Sequence, residues 1–269
     1  MKKFNNNLEI AEYFINLAKK AYKKCSKNKI EVSDKGYMDL LTTLDTSIEK
    51  YVLNDFSKHF PNVKIVSEEF NTNIKPEGTY FVIDPIDGTV NFANGINQWG
   101  IQFAYIENDI TVASAIYLPS SKEEFYAAKG FGAFKNGKKF YAKKKDPIHS
   151  LISIEVKDFD LLSNLYKELQ DKILRFRQLG ACSVHCARVA EGSLSAFAVL
   201  DTNPWDILPG FLLMEEAGCK RKTIYGKHIF ATTTETLNII YQAFEKHIVK
   251  KEKVKVKAAR PTNSKDIIE

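Results

Sequence analysis

The sequence predicts an α/β protein, and three observations carry that prediction. Beyond Pro147, strand-like and helix-like segments alternate through residue 217. Two β-branched runs in the first half, 63–66 and 79–83, each lead into carboxylates, the place where open α/β sheets hold ligands. The chain also opens on helical rather than strand periodicity.

Taken in order, Leu8, Ala11, Ile15, Ala18 and Tyr22 recur at three- and four-residue spacing and define a first helix, with Asn6 and Glu9 as its capping pair. Residues 23–36 read as Lys-rich and irregular. A second helix is predicted over about 41–59, with Leu41, Leu44, Ile48, Val52 and Phe56 on its buried side, Asp45 a turn from its start and Pro61 beyond its end. Segments 101–106 and 110–118 read as strands joined by Glu107-Asn108-Asp109, and 124–128 and 133–141 as further strands, with Asn136-Gly137 as a hairpin signal. Then come strand 151–156, helix 160–171, strand 173–177, helix 183–191, strand 196–200, helix 207–217 with Pro209 in its first turn, and a last helix over about 235–250.

With 269 residues and 44% hydrophobic content, the chain can bury a large core. The expected organisation is one domain over 1–249, its halves meeting near Pro147 (1–146 and 147–249), followed by a tail, 250–269. No apolar run suits a membrane span, and the polar start lacks a signal peptide's hydrophobic region, so a soluble cytoplasmic protein is expected. Four scattered cysteines suggest reduced thiols. Cys182, His185 and Cys186 lie within about one helical turn, but with no fourth ligand in view they read as core-facing residues rather than a soft-metal site. Of the net charge of +6, residues 246–269 carry most, with eight basic residues against three acidic ones. A basic, aromatic-studded face for nucleic acid is not evident, and the tail reads as a solvated or partly ordered extension.

The chemistry gathers at 84–92, Asp-Pro-Ile-Asp-Gly-Thr-Val-Asn-Phe. Pro85 stiffens the turn, Gly88 permits close backbone approach, and a helix starting at Thr89 would leave the Gly88, Thr89 and Val90 amides free for an anion. Asp-Pro and Asp-Gly are also ordinary turn signals. Two further acidic segments change that balance: Glu68-Glu69 after strand 63–66, and Trp205-Asp206 opening a helix. Several carboxylates from separate segments suit hard divalent cations such as Mg²⁺. No Gly-x-Ser-x-Gly elbow and no P-loop is present.

Four segments in order, Leu41-Thr42-Thr43-Leu44-Asp45, Ser67-Glu68-Glu69, the 84–92 stretch and Pro204-Trp205-Asp206, together with 130–138, resemble the inositol monophosphatase family of Mg²⁺-dependent, lithium-sensitive phosphatases. The resemblance implies a layered αβαβα sandwich, usually dimeric, so a homodimer is expected. It implies that Glu68, Asp84 and the carbonyl of Ile86 hold one Mg²⁺, that Asp84, Asp87 and Asp206 hold a second, and that Glu68 helps a third, with Li⁺ inhibitory. Thr89 would orient the attacking water, Asp45 would take a proton through the Thr hydroxyl, and Glu69 would assist. The Gly88 and Thr89 amides would grip the phosphate, and no phospho-enzyme is implied. Taken alone, Asp45 could be a solvated helix residue, Glu69 a surface charge, and Asp206 and Thr89 helix caps.

The substrate expected from the resemblance is inositol monophosphate or a related sugar or polyol phosphate. Two positions depart from the pattern. Val199 stands seven residues before Asp206, where the family often has a glutamate for ring hydroxyls, and Ala181-Cys182 follow Gly180 in place of a small hydroxyl residue and alanine. Asp201 is a candidate replacement, and Ala181 and Arg177 are candidate substrate contacts. Arg175, Arg177 and Arg188 keep 3′-phosphoadenosine 5′-phosphate, NADP and fructose 1,6-bisphosphate open as substrates, since arginine suits a second phosphate. Surface ion pairing is the alternative for these arginines. Lys35 could approach the outer metal. The non-enzyme alternative is a regulatory protein that binds a phosphate ligand.

Overall fold

The computed structural model describes residues 4–36, 39–72, 77–200 and 202–258. Helices and sheets stack in five layers, αβαβα. The first layer is α1 (Asn7–Cys25) with α2 (Thr43–His59). Asn6 caps α1 by accepting the Glu9 amide at 3.1 Å. The buried stripes of the two helices meet around Phe14 and Phe56, which pack on Phe81 and Phe103 of the sheet beneath. All four rings are fully buried, each worth about 1.5–3 kcal/mol of apolar transfer.

Residues 23–36 are not all irregular. Val32–Gly36 forms β1, antiparallel to β2 (Asp39–Thr42), and α2 therefore starts at Thr43 rather than Leu41. β1 is exposed along its whole length, so it lacks the apolar alternation that marks a strand. Thr42 becomes the cap of α2, and the Thr42 amide donates to Asp45 Oδ2 at 2.9 Å to close a capping box.

The first sheet runs β3 (Lys64–Ser67), β4 (Tyr80–Asp87), β5 (Gly100–Glu107), β6 (Ile110–Leu118), β7 (Glu123–Ala128), β8 (Gly132–Lys135) and β9 (Lys138–Phe140), in chain order. Only β3 and β4 are parallel, and the rest form an antiparallel meander. The parallel pair is the one whose carboxyl ends carry the acids. Asn136 and Gly137 take φ of 50° and 78°, as a tight hairpin requires.

The second sheet has the order β11-β10-β12-β14-β13, from β10 (Leu151–Glu155), β11 (Arg175–Phe176), β12 (Ala196–Val199), β13 (Lys220–Ile224) and β14 (Lys227–Ala231). Helices α4 (Phe159–Leu169) and α5 (Cys182–Glu191) connect its parallel strands. The β13–β14 hairpin has no counterpart in the sequence reading, because Lys220-Arg221-Lys222-Thr223 is the polar sequence of a solvated edge strand. Between the sheets lie α5 and α6 (Pro204–Glu216), sharing a core with Phe125 of the first sheet and Phe197 and Phe230 of the second. α6 begins at Pro204, which places Pro209 inside the helix rather than in its first turn. α4 and α7 (Thr234–Ala258) cover the outer face. α7 continues past Lys250, into the segment read as a tail. Among the described residues, no helix is long and apolar enough to cross a membrane.

Candidate active site

The end of β4 carries Asp84 and Asp87, and all eight of its residues are buried. The β4–β5 ladder shifts register between Asp84 and Asp87, where Pro85 cannot donate to it. Ile86 sends its side chain into the first core, while its carbonyl accepts the Thr89 hydroxyl at 2.9 Å. Asp206 arrives from the first turn of α6, whose Trp205 packs on Val66, Val82, Ala104 and Ile106 of the first sheet. One carboxylate oxygen from each of Asp84, Asp87 and Asp206 lies within 4.8 Å of the others. Glu68, just beyond β3, is close enough for its charge to raise both Asp84 and Asp87.

Burial raises all four carboxyls. Glu68 and Asp206 are pushed up to about 7 and Asp87 to about 6, while Asp84 lies well above the usual carboxylate range. After burial, neighbouring acids are the largest remaining raising influence on Asp84 and Asp206. Asp84 Oδ1 is buried with no partner among the described residues. A donor set made of carboxylates, with an orphaned buried oxygen and mutual repulsion, fits a hard divalent cation such as Mg²⁺.

Neighbouring elements hold the acids in place. Asp87 stands at the amino end of α5, accepting the Cys182 amide at 3.1 Å, the Ser183 amide at 2.5 Å and the Ser183 hydroxyl. It thus caps a helix whose own N-cap residue, Ala181, supplies no side-chain bond. Gln102 Nε2 donates to Asp84 Oδ2 at 3.3 Å and to the Asp206 carbonyl at 3.1 Å. Gly88 takes φ of 89°, and a Cβ there would lie 2.8 Å from that of Ala181, so the turn and α5 could not approach as they do with another residue. Asn91 Nδ2, in the one-turn helix α3 (Thr89–Ala93), donates to the Gln98 and Leu179 carbonyls at 2.7 Å each and ties this turn to the second half.

On the other flank, Asp45 is fully buried. Its Oδ2 accepts the Thr42 amide and hydroxyl, and its Oδ1 lies 3.2 Å from the Thr89 hydroxyl. Burial pushes Asp45 up to about 6 against the pull of Thr42. Lys35 Nζ bridges Glu68 and Glu69 at 3.1 and 2.8 Å. Glu49 accepts the Ser67 hydroxyl at 2.5 Å and the Glu69 and Phe70 amides at 2.9 Å, fixing the turn that presents Glu68.

Beside the cluster opens a cavity of about 270 Å³, lined on one side by Asp87 and Asp206 and elsewhere by Glu155, Lys157, Gly180, Ala181 and Cys182. Of the candidate substrate residues, Ala181 lines it and Asp201 lies outside the described residues. The Arg177 guanidinium turns to the Phe176 carbonyl, and that of Arg175 to Leu174. Arg188 pairs with Glu123 and Glu191. None of the three arginines lines the cavity. His185 is a buried core histidine stacked on Phe197, lowered to about 3 by burial.

The inositol monophosphatase family model matches residues 3–261. The chain belongs to the inositol monophosphatase family. The fructose-1,6-bisphosphatase/inositol-1-monophosphatase of Thermotoga maritima is 30% identical over 184 residues, covering 68% of this chain and 71% of that protein. A solved inositol monophosphatase structure from the same organism superimposes with a TM-score of 0.78 at 25% identity, over 88% of this chain and 99% of that one. An inositol monophosphatase/NADP phosphatase solved with Mg²⁺ and phosphate, 24% identical, shares the fold with a TM-score of 0.73 over 88% and 92% of the two chains. The reaction class of these relatives is phosphate ester hydrolysis.

Several supporting residues escaped the sequence reading. Glu49 follows Asp45 by four residues, so a helical projection places it among the buried Leu44, Ile48 and Val52, and an acid in an apolar stripe is a visible signal. Gln102 interrupts an otherwise apolar strand in the same way. Ser183 and Glu155 carry no such mark.

Proposed function

We propose that the protein is a Mg²⁺-dependent phosphomonoesterase that hydrolyses a small sugar or polyol phosphate by direct attack of water. The convergence of Asp84, Asp87 and Asp206 beside a cavity, with Asp84 Oδ1 unpartnered, carries this reading. Glu68, Asp84 and the Ile86 carbonyl would hold one ion, and Asp84, Asp87 and Asp206 another, with Glu68 available to a third. Ions held there neutralise the ester's charge, lower the pKa of water and stabilise the leaving alkoxide.

The protein's own groups position the nucleophile. The Thr89 hydroxyl has one proton and two acceptors within reach, the Ile86 carbonyl and Asp45. With Asp45 ionised, which its value of about 6 allows at neutral pH, Thr89 can give its proton to Asp45 while its oxygen accepts one from water. The amides of Gly88 and Thr89, ahead of the first hydrogen bond of α3, are free to bind phosphate oxygens. Glu69 orders the water side of the site, and Lys35 balances the charge of Glu68 and Glu69. A polyol monophosphate is preferred over a bisphosphate or nucleotide because no arginine among the described residues lines the cavity. A homodimer remains the expected assembly.

Phosphate release from inositol 1-phosphate, fructose 1,6-bisphosphate, 3′-phosphoadenosine 5′-phosphate and NADP, each with Mg²⁺ and with chelator, tests the reading. Chelator-sensitive turnover, strongest on the monophosphate, is expected. Silence on all four esters in folded, Mg²⁺-binding protein would overturn it in favour of a phosphate-binding regulator.

A further inference from the structure

We propose, on the basis of the phosphatase reading above, that Glu155 reads the alcohol half of the substrate by binding a hydroxyl group of a polyol or sugar monophosphate. Glu155 ends β10 and lines the same cavity as Asp87 and Asp206. Among the described residues it is the one cavity-lining carboxyl outside the three-carboxylate cluster.

Its surroundings give it no structural work. Oε1 is sealed from solvent with no hydrogen-bond partner, and the nearest candidate, His185 Nε2, stands 3.6 Å away. That nitrogen already accepts the Leu179 amide at 2.9 Å, so in the neutral ring it has no proton to offer. Lys157 lines the cavity too, yet no ion pair joins it to Glu155. The side chain remains 34% exposed and lines the cavity. No donor among the described residues reaches the other oxygen, Oε2, which is not sealed, so a ligand hydroxyl in the cavity can donate to it.

The sheet explains how Glu155 comes to face the pocket. It pairs in parallel register with Val199 of β12, so both side chains leave the same face of the sheet. Val199 is apolar and buried in the core, which leaves recognition at this level of the sheet to the neighbouring strand. The cavity's size and its small wall residues, Gly180, Ala181 and Cys182, suit a compact polyol, and a carboxylate there would repel a second phosphate.

Steady-state kinetics of wild type, Glu155→Ala and Glu155→Gln with Mg²⁺ test this on two esters. One is inositol 1-phosphate; the other is p-nitrophenyl phosphate, whose leaving group has no such hydroxyl. The ratio of kcat/KM for the first ester to that for the second should fall about 10- to 100-fold in Glu155→Ala, through KM, and less in Glu155→Gln, which keeps an acceptor. An unchanged ratio in Glu155→Ala, or equal losses on both esters, would overturn the proposal. Wild type inactive on both esters would instead overturn the phosphatase reading itself.

Discussion

Replacing Glu49 by alanine should weaken cation binding from a position whose side chain bonds only to the turn behind the cluster. Its carboxylate is fully buried and holds the turn after β3 by three hydrogen bonds, from the Ser67 hydroxyl at 2.5 Å and from the Glu69 and Phe70 amides at 2.9 Å. A hydrogen bond to a charged group contributes about 1.5–3 kcal/mol. The three do not add fully, because the two amides are only partly buried and can recruit water, so a net loss of about 3–5 kcal/mol is expected. Glu49→Gln should lose about half as much, since one amide oxygen still accepts while its NH₂ faces a donor. Glu68 sits between two of the anchored residues, Ser67 and Glu69. Loosening that turn should weaken Mg²⁺ binding about 10- to 100-fold, the range seen when groups supporting metal ligands are removed. Urea unfolding in chelator measures the first effect; the Mg²⁺ dependence of phosphate release measures the second. A loss below about 1 kcal/mol would show that these bonds carry little. A loss of the expected size with an unchanged Mg²⁺ midpoint would refute the idea that the anchor positions Glu68.

Two further outcomes follow from the acid cluster. Asp87→Asn should lower Mg²⁺-dependent turnover by at least about a hundredfold while leaving the chain folded, because the amide oxygen can still accept from α5; activity within about tenfold of wild type would remove Asp87 from the ligand set. In chelator, the melting temperature should fall as pH rises from about 4 to about 7, since Glu68, Asp87 and Asp206 stand in the fold at about 7, 6 and 7 against ordinary values of 4.5, 3.8 and 3.8. Groups raised in this way favour the folded state fully below their ordinary values and lose that contribution through their folded ones. Saturating Mg²⁺ should flatten the fall near neutrality, and a flat or rising curve in chelator would contradict it.

How much could be read from the sequence depended on whether a residue's role was local. Strands such as Ile110–Leu118 and the Asn136-Gly137 hairpin follow from composition and turn chemistry, and the order of the acidic segments was enough to name the family. β1 and β13 were missed for one reason: both are polar edge strands stabilised by pairing rather than by a buried face, so period-2 alternation is absent. The site divides in the same way. Asp84 and Asp87 announce themselves by adjacency, whereas Ser183, 96 residues from Asp87, reaches it only because α5 aims its amino end at β4. Arg177 illustrates the converse, since proximity in sequence to Gly180 placed it near the pocket while its backbone turns the guanidinium to the Phe176 carbonyl.

That use of helix ends recurs, and it bears on how so acidic a centre folds. Asp45 and Asp206 each occupy the third position of a helix and close a capping box, and Asp87 caps α5 from outside. Three helices, α2, α5 and α6, thus direct their partially positive amino ends at one region, and the carboxylates there satisfy amides that would otherwise be orphaned. The stabilisation is limited, at about 0.3–1 kcal/mol for each helix end near the surface and up to ~2 kcal/mol where partly buried. Raising Asp206 from 3.8 to about 7 corresponds to ~4 kcal/mol, so burial and repulsion win and the carboxyls stay above their ordinary range. Helix ends therefore help to fix where Asp45, Asp87 and Asp206 stand but do not neutralise them, and that difference between positioning and charge balance is the part a bound divalent cation would supply.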